Sequence, residues 1–160
     1  MRHIARRIVL TVLLGGSLFQ DALAHEFRSG DLQIDHPWSR AIGPRAPTAA
    51  GYLVIRNGGA TSDRLVAAET PMARLVEIHE MTMSDNIMRM RPVTDGIVVP
   101  AGGTVRLAPN GLHLMIVGPH TGFVQGARIP LTLVFERAGR VAVELAIEAP
   151  GARASEHDGH

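Results

Sequence analysis

The sequence predicts an all-β fold, a sandwich or a barrel, from the spacing of its turns and the composition between them. Glycine and proline recur roughly every eight to twelve residues. The pieces between them are short and rich in valine, isoleucine, leucine and threonine, which favour strands. The best candidate for helix is a single turn near residues 71–73. At 160 residues the chain is expected to form one domain with its own core.

Ten candidate strands lie between the turns. They are Leu32–Ile34, Gly51–Asn57, Asp63–Ala68, Ala73–Met83, Ile87–Arg91, Ile97–Val99, Thr104–Leu107, His113–Val117, Ile129–Arg137 and Val141–Ile147. Turn residues at Asn57-Gly58-Gly59, Asp85-Asn86 and Asn110-Gly111 tolerate the positive φ angles of tight turns. Trp38 and Tyr52 are expected to pack in the core, where aromatic surface is usually buried.

Charge and cysteine content exclude several classes of function. All 16 basic residues are arginine, they are scattered along the chain, and aromatic residues are few. This pattern gives no support to nucleic-acid binding. The absence of cysteine excludes disulfides, thiolate catalysis and zinc or iron–sulfur sites held by cysteine.

The first 24 residues have the features of a secretory signal peptide. An arginine-rich start is followed by an apolar run at residues 8–19, which is too short to span a bilayer, and by the cleavage motif Ala22-Leu23-Ala24. We therefore expect a periplasmic domain at residues 25–149 and a flexible tail at residues 150–160. No cysteine follows the cleavage motif and no later segment looks transmembrane, so no membrane anchor is expected after cleavage.

Histidine and methionine concentrate in one stretch. Five of the six methionines after the initiator lie between His79 and Met115. Because strands point alternate side chains to opposite faces, His113 and Met115 share a face. If Asp85-Asn86 centres a hairpin, Met90 becomes a diagonal neighbour of His79, within reach of a flexible thioether. Two imidazoles and two thioethers suit Cu(I), and the lack of carboxylates makes the set poor for Mg²⁺ or Ca²⁺.

Composition and spacing alone leave a structural interpretation open. Methionine often fills cores, and a single histidine on a strand is often only hydrogen-bonded. Met81, Met83 and Met88 could be further ligands, a hydrophobic rim or core residues. Glu77 and Glu80 flank His79; we expect them to lie on a solvated strand edge, with orientation of a metal-bound imidazole as the alternative. His36, which precedes Pro37, is expected to cap a strand end, with support of a metal ligand as the alternative.

At these residues the chain resembles the PCu(A)C family of bacterial periplasmic copper chaperones. The family pattern is a His, ten residues, a Met, a longer gap and then His-x-Met. Here ten residues separate His79 from Met90, and His113-Leu114-Met115 closes the pattern after a gap of 22 residues, one longer than in the family. The likeness covers residues 31–148 and includes segments such as His36-Pro37-Trp38-Ser39-Arg40-Ala41.

The resemblance implies a cupredoxin-like Greek-key β-fold and a non-enzymatic copper carrier. It implies that Cu(I) is held by His79, Met90, His113 and Met115. It also implies copper delivery towards the CuA centre of cytochrome c oxidase, through its CuA subunit or its assembly factors.

The termini predict a second, Cu(II) site. After cleavage His25 would offer an α-amine and an imidazole, and His157 and His160 could add two more nitrogens. Three other functions have partial support in the sequence. A blue-copper electron carrier needs a cysteine, a copper oxygenase using His25 would need a second histidine such as His36, and a metal-free β-sandwich would serve adhesion or scaffolding.

Overall fold

The computed structural model describes residues 26–153, and every regular element in that range is a β-strand. The strands are β1 (Glu26–Ser29), β2 (Leu32–Arg40), β3 (Thr48–Asn57), β4 (Asp63–Glu69), β5 (Ala73–Ser84), β6 (Ile87–Pro92), β7 (Ile97–Val99), β8 (Thr104–Leu107), β9 (Leu112–Pro119), β10 (Arg128–Phe135) and β11 (Gly139–Glu148). The all-β prediction is confirmed, and the segment near residues 71–73 is a turn without helix. Nothing within residues 26–153 forms a helix long and apolar enough to cross a membrane.

Seven strands close into a barrel, in the order β2, β11, β10, β4, β5, β9 and β3, with β3 pairing back to β2. Every neighbouring pair in this ring is antiparallel except β2 with β11, which run parallel. The remaining strands lie at the sides of the ring: β1 pairs with β2, β6 with β5, β7 with β4 and β8 with β3. The barrel therefore has a closed wall, from which β5 and β6 extend as a hairpin.

The barrel is filled by alternate side chains of its strands. Leu131, Leu133 and Phe135 of β10 are buried, whereas Thr132 and Val134 between them are only partly buried. β11 shows the same alternation. A strand with one buried face needs this period of two, and the period fixes its register against slips of one residue.

The buried carboxylate of Asp63 stabilises the turn between β10 and β11 by hydrogen bonds. Its Oδ1 accepts hydrogen bonds from the backbone N–H groups of Arg64 (2.7 Å) and Arg137 (2.9 Å), and its Oδ2 accepts one from that of Ala138 (2.9 Å). Burial opposes the charge, but these donors outweigh it and hold the pKa of Asp63 below its usual value. The predicted strand Ile129–Arg137 consequently ends at Phe135, because the residues after it enter this turn.

The structure corrects the sequence prediction around β2. β2 does not end at Ile34 but continues to Arg40, and the register shifts between Asp35 and Trp38. His36 has a φ of 44° in this irregularity, so it does not cap a strand end. Pro37 carries no N–H for a ladder and marks such a bulge, which is why the sequence pattern suggests a break there.

Two smaller differences concern β1 and a turn. Strand β1 was not predicted, and it adds the outermost strand beside β2. The segment Asn57–Gly59 contains no positive φ. Instead, the Asn57 side chain shapes this turn by donating to the carbonyls of Thr61 (2.9 Å) and Val99 (3.2 Å). By contrast, Asp85, Asn86 and Asn110 have the positive φ angles expected of them.

Candidate metal site

Strands β6, β5 and β9 lie side by side and carry the four residues that the sequence singled out. Asp85 and Asn86 form the turn between β5 and β6 with φ angles of 52° and 60°, as predicted. His79 is therefore paired with Pro92, and Met90 lies one diagonal step away, opposite Met81. On the other side of β5, His79 is paired directly with His113.

All four residues lie on the outer side of the barrel wall. Ile78 of β5 and Leu114 and Ile116 of β9 point inward and belong to the hydrophobic core. Their neighbours His79, His113 and Met115 must therefore point outward. His113 is nevertheless only 4% exposed, so the outer face is covered at this point.

His79 has one ring nitrogen held and one unpartnered. Its Nε2 lies 3.0 Å from Oε2 of Glu77, which shares its face of β5. A carboxylate only accepts hydrogen bonds, so in the neutral imidazole Nε2 carries the proton. Nδ1 then carries the lone pair, and this atom is buried with no hydrogen-bond partner among the described residues. Glu77 is thus positioned to orient the His79 ring, although its side chain is 48% exposed at the strand edge.

His113 is held in the opposite tautomer. Its Nδ1 lies 2.9 Å from the carbonyl oxygen of Gly111, which also accepts a hydrogen bond from the backbone N–H of Met81 at 3.1 Å. Because a carbonyl is only an acceptor, Nδ1 carries the proton and Nε2 the lone pair. The rings of His79 and His113 are 6.0 Å apart between centroids and inclined at 60°. The structure thus places two imidazoles together, and in each neutral ring the nitrogen opposite the held one carries a lone pair.

The thioethers of Met90 and Met115 and the buried ring of His113 share a cavity of about 250 Å³. Met90, His113 and Met115 line it together with Met81. Met90 and Met115 are displaced along the strands on opposite sides of the histidine pair, so this shared cavity is not evident from register alone. His79 does not line the cavity; its ring lies beside that of His113, with 6.0 Å between centroids.

Small and cationic side chains on the neighbouring strands bound the cavity. Ala50 of β3 is paired with Met115, and its small side chain leaves space beside the thioether. Tyr52 and Arg40 also line this side of the cavity. The guanidinium of Arg40 lies 5.6 Å from the Tyr52 ring centroid and 5.7 Å from that of Trp38, as a cation–π contact.

These aromatic residues are buried as predicted, but not in the barrel core. Trp38 and Tyr52 are 3% and 5% exposed, with centroids 4.7 Å apart. They are paired across β2 and β3 on the same face as Ala50. Burial raises the pKa of Tyr52, although the charge and hydrogen bond of Arg40 act in the opposite direction. Arg40 and Gly111 are site residues that sequence reasoning missed, because neither carries a metal-binding side chain.

The donor set at this position is poor for a hard metal. Nowhere in residues 26–153 do three histidine, aspartate or glutamate side chains converge to hold a metal. The cavity beside His113 offers thioether sulfur from methionine, and thioethers favour soft ions. The proposed Cu(II) residues His25, His157 and His160 lie outside the described residues.

Comparison with known sequences identifies a family. A sequence model of the LpqE-like family, described as "Putative lipoprotein LpqE-like", matches residues 32–147. The curated protein "Putative lipoprotein Lxx21020" of Leifsonia xyli subsp. xyli (strain CTCB07) is 30% identical over 104 residues. The aligned part is 65% of this chain but 61% of that protein, so the chain spans about three-fifths of its relative.

Solved structures share the architecture. The copper-bound PCuAC domain from PmoF2 is 32% identical with a TM-score of 0.68, over 79% of this chain and 99% of that one. The apo PCuAC domain from PmoF1 is 31% identical with a TM-score of 0.67, over 79% and 100%. Apo-DR1885 from Deinococcus radiodurans, at 20% identity and a TM-score of 0.59 over 93% and 97%, shares the fold. The chain therefore belongs to the LpqE-like family, the family of the PCuAC domains, and has their cupredoxin-like β-fold.

Proposed function

We propose that this protein is a periplasmic copper chaperone that holds one Cu(I) on the outer face of its barrel. The proposed ligands are His79, Met90, His113 and Met115. The copper-bound PmoF2 domain, at 32% identity, supports copper as the cargo. Two neutral nitrogens and two thioethers form a soft ligand set, which favours Cu(I) over Cu(II).

The single observation that carries the proposal is the hydrogen bonding of the paired imidazoles. Nε2 of His79 lies 3.0 Å from the Glu77 carboxylate and Nδ1 of His113 lies 2.9 Å from the Gly111 carbonyl, which in neutral rings leaves a lone pair on the other nitrogen of each. Metal-binding histidines typically donate their second N–H to a carboxylate or carbonyl in this way. Nδ1 of His79 is buried and has no hydrogen-bond partner within residues 26–153, and a metal ion would supply one.

The proposed role is transport without catalysis. Cu(I) would be taken up and released by exchange of neutral ligands, so no electron and no covalent bond within the protein changes. We propose delivery towards the CuA centre of cytochrome c oxidase, either directly to the CuA subunit or through assembly factors. The periplasmic location rests on the signal-like start of the chain and agrees with relatives named as lipoproteins.

An anaerobic Cu(I) titration against a competing chelator tests the metal site. The wild-type mature protein is expected to bind one Cu(I) tightly. His79→Ala should weaken binding at least about tenfold, a change of about 1.4 kcal/mol, because one ligand is lost. His120→Ala is the matched control, since His120 is exposed in the loop after β9. Equal affinities of the wild type and His79→Ala would remove His79 from the site.

A second experiment tests the destination. The Cu(I)-loaded protein is mixed anaerobically with the apo CuA domain of an oxidase, the two are separated, and copper is measured in each. Transfer to that domain, but not to a cysteine-free bystander protein, is expected. Retention of all copper by the carrier would exclude direct delivery and leave assembly factors as recipients.

We also propose that the termini capture Cu(II). His25 would contribute an α-amine and an imidazole after signal cleavage, and His157 and His160 would add imidazoles. Nitrogen ligands hold Cu(II) well, whereas thioethers favour the reduced ion. The described end of the chain lies near the proposed copper site, because Arg153 lines a surface pocket together with Arg40 and Met81.

A further inference from the structure

The hairpin formed by β5 and β6 carries more thioethers than the proposed four-ligand site uses. Met81, Met83 and Met88 are left without a role. Met83 and Met88 are 65% and 55% exposed, and Met90 is 45% exposed. Exposed methionines on both strands of one short hairpin form a soft, sulfur-rich surface.

The strand register arranges these methionines as two cross-strand pairs. Met81 lies opposite Met90, and Met83 lies opposite Met88, nearest the turn. Both pairs share the face of His79, because positions two apart point the same way. Successive pairs are separated by about 7 Å along the strands, from the rise of a strand residue.

The hydrogen-bond pattern of the hairpin indicates that the side chains within each methionine pair lie close together. The backbone N–H of Val93 donates to the carbonyl of Ile78 at 2.8 Å, so Ile78 and Val93 form a hydrogen-bonded pair of the β5–β6 ladder. Bonded and non-bonded pairs alternate along an antiparallel ladder, which makes Met81–Met90 and Met83–Met88 non-bonded pairs. In such pairs the Cα atoms are only about 4.5 Å apart and the side chains are close. The tight Asp85-Asn86 turn fixes which pairs of the ladder are hydrogen-bonded and which are not.

The two faces of the hairpin differ in chemistry. On the opposite face, Glu80 and Arg91 form an ion pair at 2.6 Å, and Thr82 lies opposite Arg89. β6 pairs with no described strand other than β5, and all six of its residues are exposed. Sulfur is thus confined to one face and runs from the turn to the histidines.

We propose that Met83 and Met88 form a second, weaker Cu(I) site, from which the ion passes by Met81 and Met90 to the histidine pair. The passage is ligand exchange: each neutral thioether binds as the previous one leaves, and no proton or electron moves. Two exposed thioethers without an imidazole should hold Cu(I) more weakly than the full set and release it readily. The loading role rests on the proposed function, whereas binding at the pair itself does not.

Methionine-methyl NMR under anaerobic conditions tests the site, with Cu(I) added in steps and Ag(I) as a redox-inert probe. The first equivalent should shift the methyl signals of Met90 and Met115, and the second those of Met83 and Met88. The two steps report on different residues, so failure of either proposal is visible separately. If the Met83 and Met88 signals stay in place when two equivalents are present, the second site does not exist.

The double variant Met83→Leu/Met88→Leu separates sulfur chemistry from apolar contact, because leucine keeps the size and apolar character of methionine. Affinity for the second equivalent should fall about tenfold or more, a change of about 1.4 kcal/mol, while the first stays unchanged. Stopped-flow loading from a Cu(I)–chelator complex should slow several-fold. If the variant binds the second equivalent and loads like the wild type, the face is only an apolar docking surface, and the proposal is overturned.

Discussion

His79 and His113 are directly paired across β5 and β9, with their ring centroids 6.0 Å apart. They belong to parts of the sequence separated by the whole β6–β8 region, and only the barrel brings them together. Because this pairing lies in the wall of the closed barrel, the two nitrogens are positioned before any metal arrives. A preorganised site does not have to order its ligands at the moment of binding, which favours affinity.

Replacing either proposed thioether should weaken Cu(I) binding without unfolding the protein. Met90→Leu and Met115→Leu each remove a soft ligand but preserve volume, and such swaps usually cost less than about 1.5 kcal/mol of stability. Competition titration should show at least about a tenfold loss of affinity in each variant. Met72→Leu, outside the motif, is the control. Wild-type affinity in both variants would show that neither sulfur binds the metal.

The carboxylate of Glu77 should matter although it is not a proposed ligand. Removing a partner that orients a metal-bound histidine typically lowers metal affinity about 10–100-fold, so Glu77→Ala should weaken Cu(I) binding within that range. Glu80→Ala is a charge-matched control on the opposite face of β5, where Glu80 pairs with Arg91. Equal affinities in these two variants would mean that Glu77 is only a solvated edge residue.

Asp63 should make stability depend on pH. Its folded-state pKa is below the ordinary value, so its stabilising contribution is complete above the unfolded pKa of about 3.9. That contribution is lost as pH falls through the lower folded pKa. Asp63→Asn should therefore lower the free energy of unfolding by about 1.5–3 kcal/mol at pH ~7, a typical value for hydrogen bonds to a charged group.

Urea unfolding of Asp63→Asn and wild type across pH checks this prediction. The difference between them should narrow as the pH falls below about 4. Asp95→Asn is the control, because Asp95 is exposed. A difference that stays constant with pH would show that the charge of Asp63 does not stabilise the turn.

Removal of residues 154–160 should lower Cu(II) binding and leave Cu(I) binding intact. The deletion keeps Ala152, whose carbonyl accepts a hydrogen bond from Nε of Arg40 at 2.8 Å, so the wall of the cavity is preserved. Acetylating the α-amine of His25 should weaken Cu(II) binding further. Isothermal titration with Cu(II) gives the affinities, and an unchanged value in the truncated protein would mean that the tail histidines are not ligands.

Local features of the site could be predicted from the sequence. Turn chemistry at Asp85-Asn86 and the period of two along β5 and β6 fix the pairing of His79 with Pro92, because a slip by one residue would turn every side chain to the wrong face. The same rule places His113 and Met115 on one face. These inferences need only neighbouring residues and the geometry of a strand.

Contacts between distant segments could not be predicted in the same way. The direct pairing of His79 with His113 depends on how β9 enters the barrel, and no turn joins it to β5. Because of the bulge at His36, the sequence pattern did not predict the second half of β2. The position of Arg40 beside Tyr52 could therefore not be predicted either. The role of the Gly111 carbonyl could not be predicted from the sequence, because every residue has a main-chain carbonyl.

The two histidines differ in how readily mutation can change them. The ring of His113 is oriented by the main-chain carbonyl of Gly111, an atom that every amino acid supplies. The ring of His79 is oriented by the side chain of Glu77, which a single nucleotide change can replace. Variation among descendants of this sequence can therefore retune one imidazole while the other stays constant. On the proposed function, copper affinity can change by this route without a change in any proposed ligand.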